Sequence, residues 1–360
     1  MRFTDCINIT GESCEKFDGD KIYISTGAVN VDRIDSNQIE VVNYDTKPSR
    51  ANLITDDKSI LFAKMQGTKK VLLIDQELEK KLYSTGFFSV SPKKNILNKK
   101  CLYHLLGSQT FLSQKDKYCS GATQKAITLE GLNKIEITIP KLEEQNQIAK
   151  RLDSIKTIIE SYEKELKRYD ELVKARFVEM FEDGDVPLKI VEELCSCVVD
   201  CPHTTPKYEG NLKNPAIRTS EIKKGFLVWD TMRYVSDEEY AERTTRAIPQ
   251  AGDIVYGREG TFGNAAILPE GYKFCLGQRV ILFRPDYSKC TSEYLLHSVI
   301  SDDVYRQAME KNNASTVAHV NVKDVKHFKV PLPSLDKQNE FTQFVKQVDK
   351  SKFIQMNSTI

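Results

Sequence analysis

The segment Thr123–Asn146 recurs at Thr316–Asn339, a shift of about 193 positions. Thr123, Pro140, Leu142, Gln145 and Asn146 match Thr316, Pro333, Leu335, Gln338 and Asn339, and Ile127, Leu129, Leu132 and Ile135 match the apolar Val320, Val322, Val325 and Phe328. The register extends upstream, with Ile24 and Thr26 falling on Ile217 and Thr219 and Pro92 on Pro285. Solenoid periods run roughly 20–50 residues, so a period this long means two domains of one kind. A chain of 360 residues can give each its own core. Two copies of a module imply two similar surfaces acting on an extended or two-fold partner.

Residues 1–140 read as short strands between turns: Lys21–Ser25, Gln38–Val42, Ser59–Phe62, Val71–Ile74 and Phe87–Ser91, with a helix over Cys101–Ser113. Ile135–Ile139 alternates apolar and polar residues and stops at Pro140. The second module repeats the style, with strands at Phe226–Trp229, Asp253–Tyr256, Ala265–Leu268 and Val280–Phe283 and a helix over Ser292–Asn312.

Glu143–Asp183 differs in kind. Ile148, Leu152, Ile155, Ile159, Tyr162, Leu166, Tyr169, Val173, Phe177 and Met180 recur in steps of four and three, with one stutter near Val173. This is a heptad seam held for about five heptads. Glu143 and Glu144 suit the positive dipole end, Gly184 is placed to terminate the helix, and Pro187 blocks continuation. At 1.5 Å per residue the rod would be roughly 60 Å long. After Pro333 the repeat delivers a second helix whose Phe341, Val345 and Val348 fall on Ile148, Leu152 and Ile155. Its next seam positions are Lys352 and Gln355, so the apolar seam fades. Antiparallel pairing of the two helices would bury both seams and relate the modules by a pseudo-two-fold axis; a coil between two chains is the alternative. The helix-pairing set is Ile148, Leu152, Ile155, Ile159, Tyr162, Leu166, Phe341, Val345 and Val348.

No run approaches the roughly 18 apolar residues of a membrane span, and the amino terminus lacks a secretory pattern, so cytoplasm is the expected compartment. Cys195, Cys197, Cys201 and His203 cluster, but C-x-C-x3-C-x-H is not a usual zinc spacing, and no metal is expected. The net charge of +1 decides nothing, whereas its distribution does: Lys58–Lys125 carries thirteen lysines and four acids. Such a stretch is either a phosphate-facing surface or a solvated lysine-rich face. A P-loop and an Asn/Asp-Pro-Pro-Tyr/Phe methylation pocket are both missing from the sequence. Pro285-Asp286 with Asp324-Val325-Lys326 makes only a chance match to a nuclease site, and the five histidines form no catalytic constellation.

The chain resembles the specificity subunits of type I restriction–modification systems over nearly its whole length. The resemblance is carried by the twin Pro-x-Leu-x-x-Gln-Asn strings, Pro140–Asn146 and Pro333–Asn339, each after a module of about 140 residues. Asp200-Cys201-Pro202-His203-Thr204-Thr205-Pro206, Arg258–Gly263 and Leu276-Gly277-Gln278-Arg279 are similar to turns of that family's recognition domains, as are Ser25-Thr26-Gly27 and Gly121-Ala122-Thr123-Gln124. The resemblance implies an α+β fold: two mixed recognition domains separated by long helices that form an antiparallel coiled coil. The implied parts are a first recognition domain (1–140), a central helix (141–184), a second recognition domain (185–333) and a C-terminal helix (334–360). That second helix is shorter than the family pattern.

The resemblance further implies a non-catalytic subunit without a cofactor of its own. Each domain would read one half of a split double-stranded DNA target. Two modification subunits, carrying S-adenosylmethionine for adenine N6 methylation, would dock on the helices, and restriction subunits would complete the assembly. Two alternatives stay open: a coiled-coil scaffold with two protein-binding domains, and the specificity partner of a system whose methyltransferase and nuclease share one polypeptide.

Base edges are read by side-chain donors and acceptors, while Lys and Arg on phosphates set position. The expected DNA-binding residues are Ser25, Thr26, Lys64, Gln66, Lys69, Thr123 and Gln124 in the first module. In the second they are His203, Thr204, Thr205, Arg218, Thr219, Arg258, Gln278, Arg279, Ser315 and Thr316. The alternative is that these turns merely connect strands.

Overall fold

The computed structural model describes residues 1–182, 186–209, 213–260, 263–311 and 319–357. Gly184, Asp183, Thr261, Phe262, Asn312, Ser315 and Thr316 lie outside the described residues. The chain forms two compact units, Met1–Ser161 and Tyr162–Ile360, and the boundary falls within one continuous helix, Leu142–Phe177.

In the first unit, Ile7–Ile9, Phe87–Pro92, Ile60–Ala63 and Val71–Leu73 form an antiparallel sheet in that order. Side chains alternate along a strand, and Ile60–Ala63 is buried on both faces. Ile60 and Phe62 join Phe3, Val90, Leu102, Leu106 and Phe111, whereas Leu61 and Ala63 join Ile24, Leu53, Leu72 and Tyr83. The second cluster is shared with a five-stranded sheet ordered Glu12–Ser13, Ala51–Ile54, Leu82–Ser84, Asp20–Ile24, Glu40–Asn43. Only Leu82–Ser84 and Asp20–Ile24 run parallel in it, with Leu82 opposite Tyr23.

The second unit repeats the core of this plan, with three strands in place of the five in its other sheet. Cys195–Asp200, Val280–Pro285, Ile254–Gly257 and Ala265–Ile267 form the antiparallel sheet, and Asn214–Ile217 lies between Arg233–Val235 and Cys275–Leu276. The parallel pair again sets Ala216 opposite Cys275, the counterparts of Tyr23 and Leu82.

Two expected helices are each two helices. The break after Leu106 comes from Ser108, whose hydroxyl accepts the Phe111 N–H and caps Gln109–Lys117. Ser301 does the same for Asp302–Glu310 after Ser292–Val299. A hydroxyl at the N-cap position satisfies a donor that a continuous helix would have used internally. Phe226–Trp229 is not a strand; Leu227 makes only an isolated bridge to Ile222. Ile135–Ile139 is likewise no regular strand, but its backbone holds the amino terminus through Phe3 N–H to Ile135 and Ile137 N–H to Met1.

The twin Pro-x-Leu-x-x-Gln-Asn strings have one structural meaning. Gln145, 1% exposed, accepts the Asn98 N–H at 2.8 Å and donates to the carbonyls of Ile96 and Pro140, both at 2.9 Å. Gln338, fully buried, accepts the Thr291 N–H at 2.9 Å and donates to Lys289 at 2.9 Å and Pro333 at 3.0 Å. Asn98 and Thr291 are the N-caps of Lys99–Leu106 and Ser292–Val299. A side-chain amide has donors and an acceptor in one plane, so a single glutamine fixes the start of the exit helix to the start of a module helix.

The long helix ends in a wider turn, Val178–Glu182, of π type. It follows the predicted stutter, and it brings Phe181 (1% exposed) rather than Met180 fully into the core. The C-terminal helix, Leu335–Asn357, packs antiparallel to Tyr162–Phe177: Lys352 meets Asp170 at 2.7 Å while Arg176 meets Glu340 at 3.0 Å. Between them Val173, Phe177, Phe341, Val345 and Val348 are buried in one cluster, and Phe341 meets the Phe177 and Phe181 rings edge-on, each at 5.5 Å.

Candidate nucleic-acid interface

Both units set their described turn residues around an equivalent frame; Ser315 and Thr316 lie outside the described residues. In the first, the Lys64 N–H binds the Gly86 carbonyl, the Ile127 N–H binds the Lys64 carbonyl, and Met65 bridges Ala126. In the second, the Arg258 N–H binds the Arg279 carbonyl, the Val320 N–H binds the Arg258 carbonyl, and Glu259 bridges His319. The turn that follows uses Gly67 at φ +72° and Gly260 at φ +75°, left-handed values that glycine accepts without steric cost.

On the first frame, Ser25 is half-buried and its hydroxyl accepts the Ala28 N–H. Thr26 stands over Gly86, and its carbonyl receives Lys70 Nζ at 2.6 Å. Lys64 lies over the Phe88 ring and donates to the Thr85 carbonyl at 2.8 Å; burial holds its ammonium below the usual lysine range. Gln66 is exposed and its amide donates to the Asp116 carbonyl at 3.1 Å. Its backbone N–H binds Lys125, which brings the exposed Thr123 and Gln124 to the same edge. Lys69 is exposed there too. The frame thus brings all seven together and adds two cations that the sequence reading did not select, Lys70 and Lys125. Both lie in the lysine-rich stretch, which was the available signal.

On the second frame most of the positive groups are already occupied. Arg258 is 6% exposed and its Nε lies 3.3 Å from Asp200 Oδ1, so it braces the frame from inside. Arg218 is forked onto the fully buried Glu221 and also lies over Tyr208. Thr219 is half-buried, and its carbonyl accepts the Ile222 N–H. His203 is exposed, 3.3 Å from Asp200, and Thr204 and Thr205 beside it are exposed. Arg243, unselected from sequence, anchors this loop by donating to the carbonyls of Thr204 (2.6 Å) and Leu276 (3.0 Å). Its burial depends on tertiary packing that the local string does not encode. Gln278 is half-buried, and Arg279 projects outward with its guanidinium 2.8 Å from Glu259.

Of the clustered cysteines, Cys201 supports the frame through its sulfur. Cys201 is buried and accepts the Arg279 N–H on its Sγ at 3.1 Å. Among the described residues no group of three or more His, Cys, Asp or Glu side chains is arranged to hold a metal ion.

The helix-pairing residues divide sharply. Phe341, Val345 and Val348 are buried, while Tyr162 and Leu166 are half-buried. Ile148 (38%), Leu152 (37%), Ile155 (53%) and Ile159 (52%) are exposed. Against its own module this half of the helix turns a different face, Gln145, Ala149, Asp153, Lys156 and Glu160. Asp153 receives Lys100 and His104, Lys156 meets Asp32 and Tyr103, and Glu160 meets Arg33.

The chain matches the type I restriction modification DNA specificity domain family twice, over residues 7–168 and 200–360. It is 26% identical over 282 residues to the EcoBI type I restriction enzyme specificity subunit of Escherichia coli, covering 70% of this chain and 59% of that one. To the MjaVIII type I restriction enzyme specificity subunit of Methanocaldococcus jannaschii it is 21% identical over 293 residues, covering 75% and 68%. The match thus spans less than two thirds of the length of the first of these relatives.

Among solved structures it is similar to the S subunit of a type I restriction–modification system from M. genitalium, with a TM-score of 0.52 at 14% identity over 99% of this chain and 91% of that one. A chain from a structure describing assembly and conformational transition of the type I system gives 0.54 at 17% identity, with the same coverage. These likenesses concern the fold. Among the described residues no helix is long and apolar enough to cross a membrane. With the duplicated frame and the two family matches coinciding, the chain belongs to the type I restriction modification DNA specificity domain family and carries that domain twice.

Proposed function

We propose that this chain is the non-catalytic DNA-reading subunit of a type I restriction–modification complex, each module reading one half of a bipartite duplex target. The observation that supports this most is the frame repeated in both units. In one copy it gathers Lys64, Lys69, Lys70 and Lys125 with polar turns, and in the other it presents His203, Thr204, Thr205, Gln278 and Arg279. Lysines of this kind position a duplex through its phosphates, and the polar turns read base edges. Residues 1–140 and 185–333 are the recognition domains, and 141–184 and 334–360 are the helical spacer. The exposed stripe Ile148, Leu152, Ile155 and Ile159 continues the buried seam, and it is the helical docking face for the modification subunits. Two such subunits bring S-adenosylmethionine and methylate adenine, and restriction subunits add cleavage.

The test is to express the chain with its modification partner and map methylated adenines across the genome. A split motif with a fixed gap is expected. No motif, or binding to duplex DNA that ignores salt between about 50 and 200 mM, would instead favour a protein-binding scaffold, because released counterions make phosphate contacts steeply salt-dependent. Deleting one heptad from the long helix shortens it by about 10 Å and is expected to change the gap; an unchanged gap would refute the spacer role.

A further inference from the structure

Arg279 stands out among the arginines of the second unit's frame. Arg258 and Arg243 are buried on Asp200 and Glu239, and Arg218 is forked onto the buried Glu221. The Arg279 side chain is 55% exposed. Its backbone is held at φ +65°, a left-handed conformation that costs an ordinary residue about 1–2 kcal/mol. That conformation is fixed from both sides. The Arg279 N–H is bonded to Cys201 Sγ, and its carbonyl accepts the Arg258 N–H. Two residues earlier, Gly277 passes so close to Ile217 that a Cβ there would sit 2.5 Å from its carbonyl oxygen. The corresponding position in the first unit carries Gly86, whose carbonyl accepts the Lys64 N–H in the same way but without the left-handed φ. One frame therefore places an outward guanidinium on a rigid, strained mount, and its duplicate places no side chain there at all. Unusual backbone of this kind persists where the surrounding structure over-determines it, and it clusters at functional sites.

We infer that Arg279 is a specificity-determining residue of the second module, reading a guanine edge in that module's half of the target. The guanidinium fork matches the O6 and N7 acceptors of guanine in the major groove, the commonest specific contact in protein–DNA complexes. In the free protein Glu259 holds the fork at 2.8 Å, and a base edge takes the carboxylate's place. The inference rests on the reading of the chain as a DNA-specificity subunit.

Arg279→Gly tests it, because it installs the residue of the corresponding position in the first unit and relieves the left-handed strain, so that loss of fold is not the expected outcome. In cells carrying the chain and its modification partner, adenine methylation is mapped genome-wide. One guanine-containing position in one half of the split motif should relax, with discrimination falling about tenfold or more, while the other half stays unchanged. The variant's melting temperature should be unchanged or raised. Glu259→Gln should keep the wild-type motif.

An unchanged motif in Arg279→Gly overturns the inference. So does relaxation of both halves equally, a lowered melting temperature accompanying the change, or the same relaxation in Glu259→Gln, since an ion pair serving only the fold would give that. If the unmodified chain yields no split motif, the underlying functional reading fails instead, and the two failures are told apart by that control.

Discussion

His104 and His297 stand at the same place in their two modules, on helices capped by Asn98 and Thr291, and they meet different company. His104 bonds Asp153 on the long helix at 2.8 Å. His297 sits against the Phe341 and Phe177 rings, where the C-terminal helix and Tyr162–Phe177 run side by side. The long helix shows the same division along its own length. Its second half buries Val173 and Phe177 against a helical neighbour, and its first half leaves Ile155, Ile158 and Ile159 about half exposed. A heptad seam is thus a necessary sign of pairing but does not supply the partner. Where none covers it, the helix is held to its module by ion pairs and hydrogen bonds on another face.

The largest expected effect tests the covered half. Phe341→Ala removes the ring that meets Phe177, Phe181 and His297, and the cavity should cost about 3–5 kcal/mol, seen as a lowered unfolding transition in which hydrogen exchange speeds up in Tyr162–Ile360 and not in Met1–Ser161. Next come the glutamine clamps. Gln145→Ala and Gln338→Ala each strand an N–H and two carbonyls, so each should cost about 3 kcal/mol in chemical denaturation. Similar costs would support the repeat at the level of energy, and a clear inequality would break it.

A pH titration comes third. Burial pushes His297 down to about 4 from an ordinary 6.5. Its protonation in the unfolded chain alone means that stability is complete above about pH 6.5 and falls as pH drops toward about 4, by on the order of 2 kcal/mol for this half-buried residue. His297→Phe should flatten that slope, measured by denaturation at stepped pH. The smallest effect is Ile155→Ser on the bare half, within about 0.5 kcal/mol of wild type in the isolated chain. If the stripe docks the modification subunit as proposed, the same substitution should weaken co-purification with it.

Much of the architecture was legible because repetition exposes it. The 193-residue shift gave the two modules, and the apolar steps gave the long helix to within a residue of its start at Leu142. Helix breaks were not read, since Ser108 and Ser301 act through an N-cap bond that an apolar pattern does not register. The turn residues were located as a group, but their division of labour was hidden. Arg258 and Arg279 look alike in sequence, and only the tertiary neighbours Asp200 and Glu259 make one a buried brace and the other an outward group. The apolar steps mark the seam along its whole length, yet only the half beside Phe341, Val345 and Val348 is buried, a difference set by residues far away in the chain.

The glutamine that locks each exit helix to the module before it also defines a seam for exchange. Every hydrogen-bond partner of the Gln145 side chain lies within residues 96–140, and every one of the Gln338 side chain within 289–333. A junction placed just after either glutamine would therefore carry a head together with the glutamine's own contacts, while after Gln145 the helix face of Asn146, Asp153, Lys156 and Glu160 would still have to match the incoming head. With that face matched, an exchanged head would keep the glutamine's geometry, and with it the direction in which the helix sets out from the head.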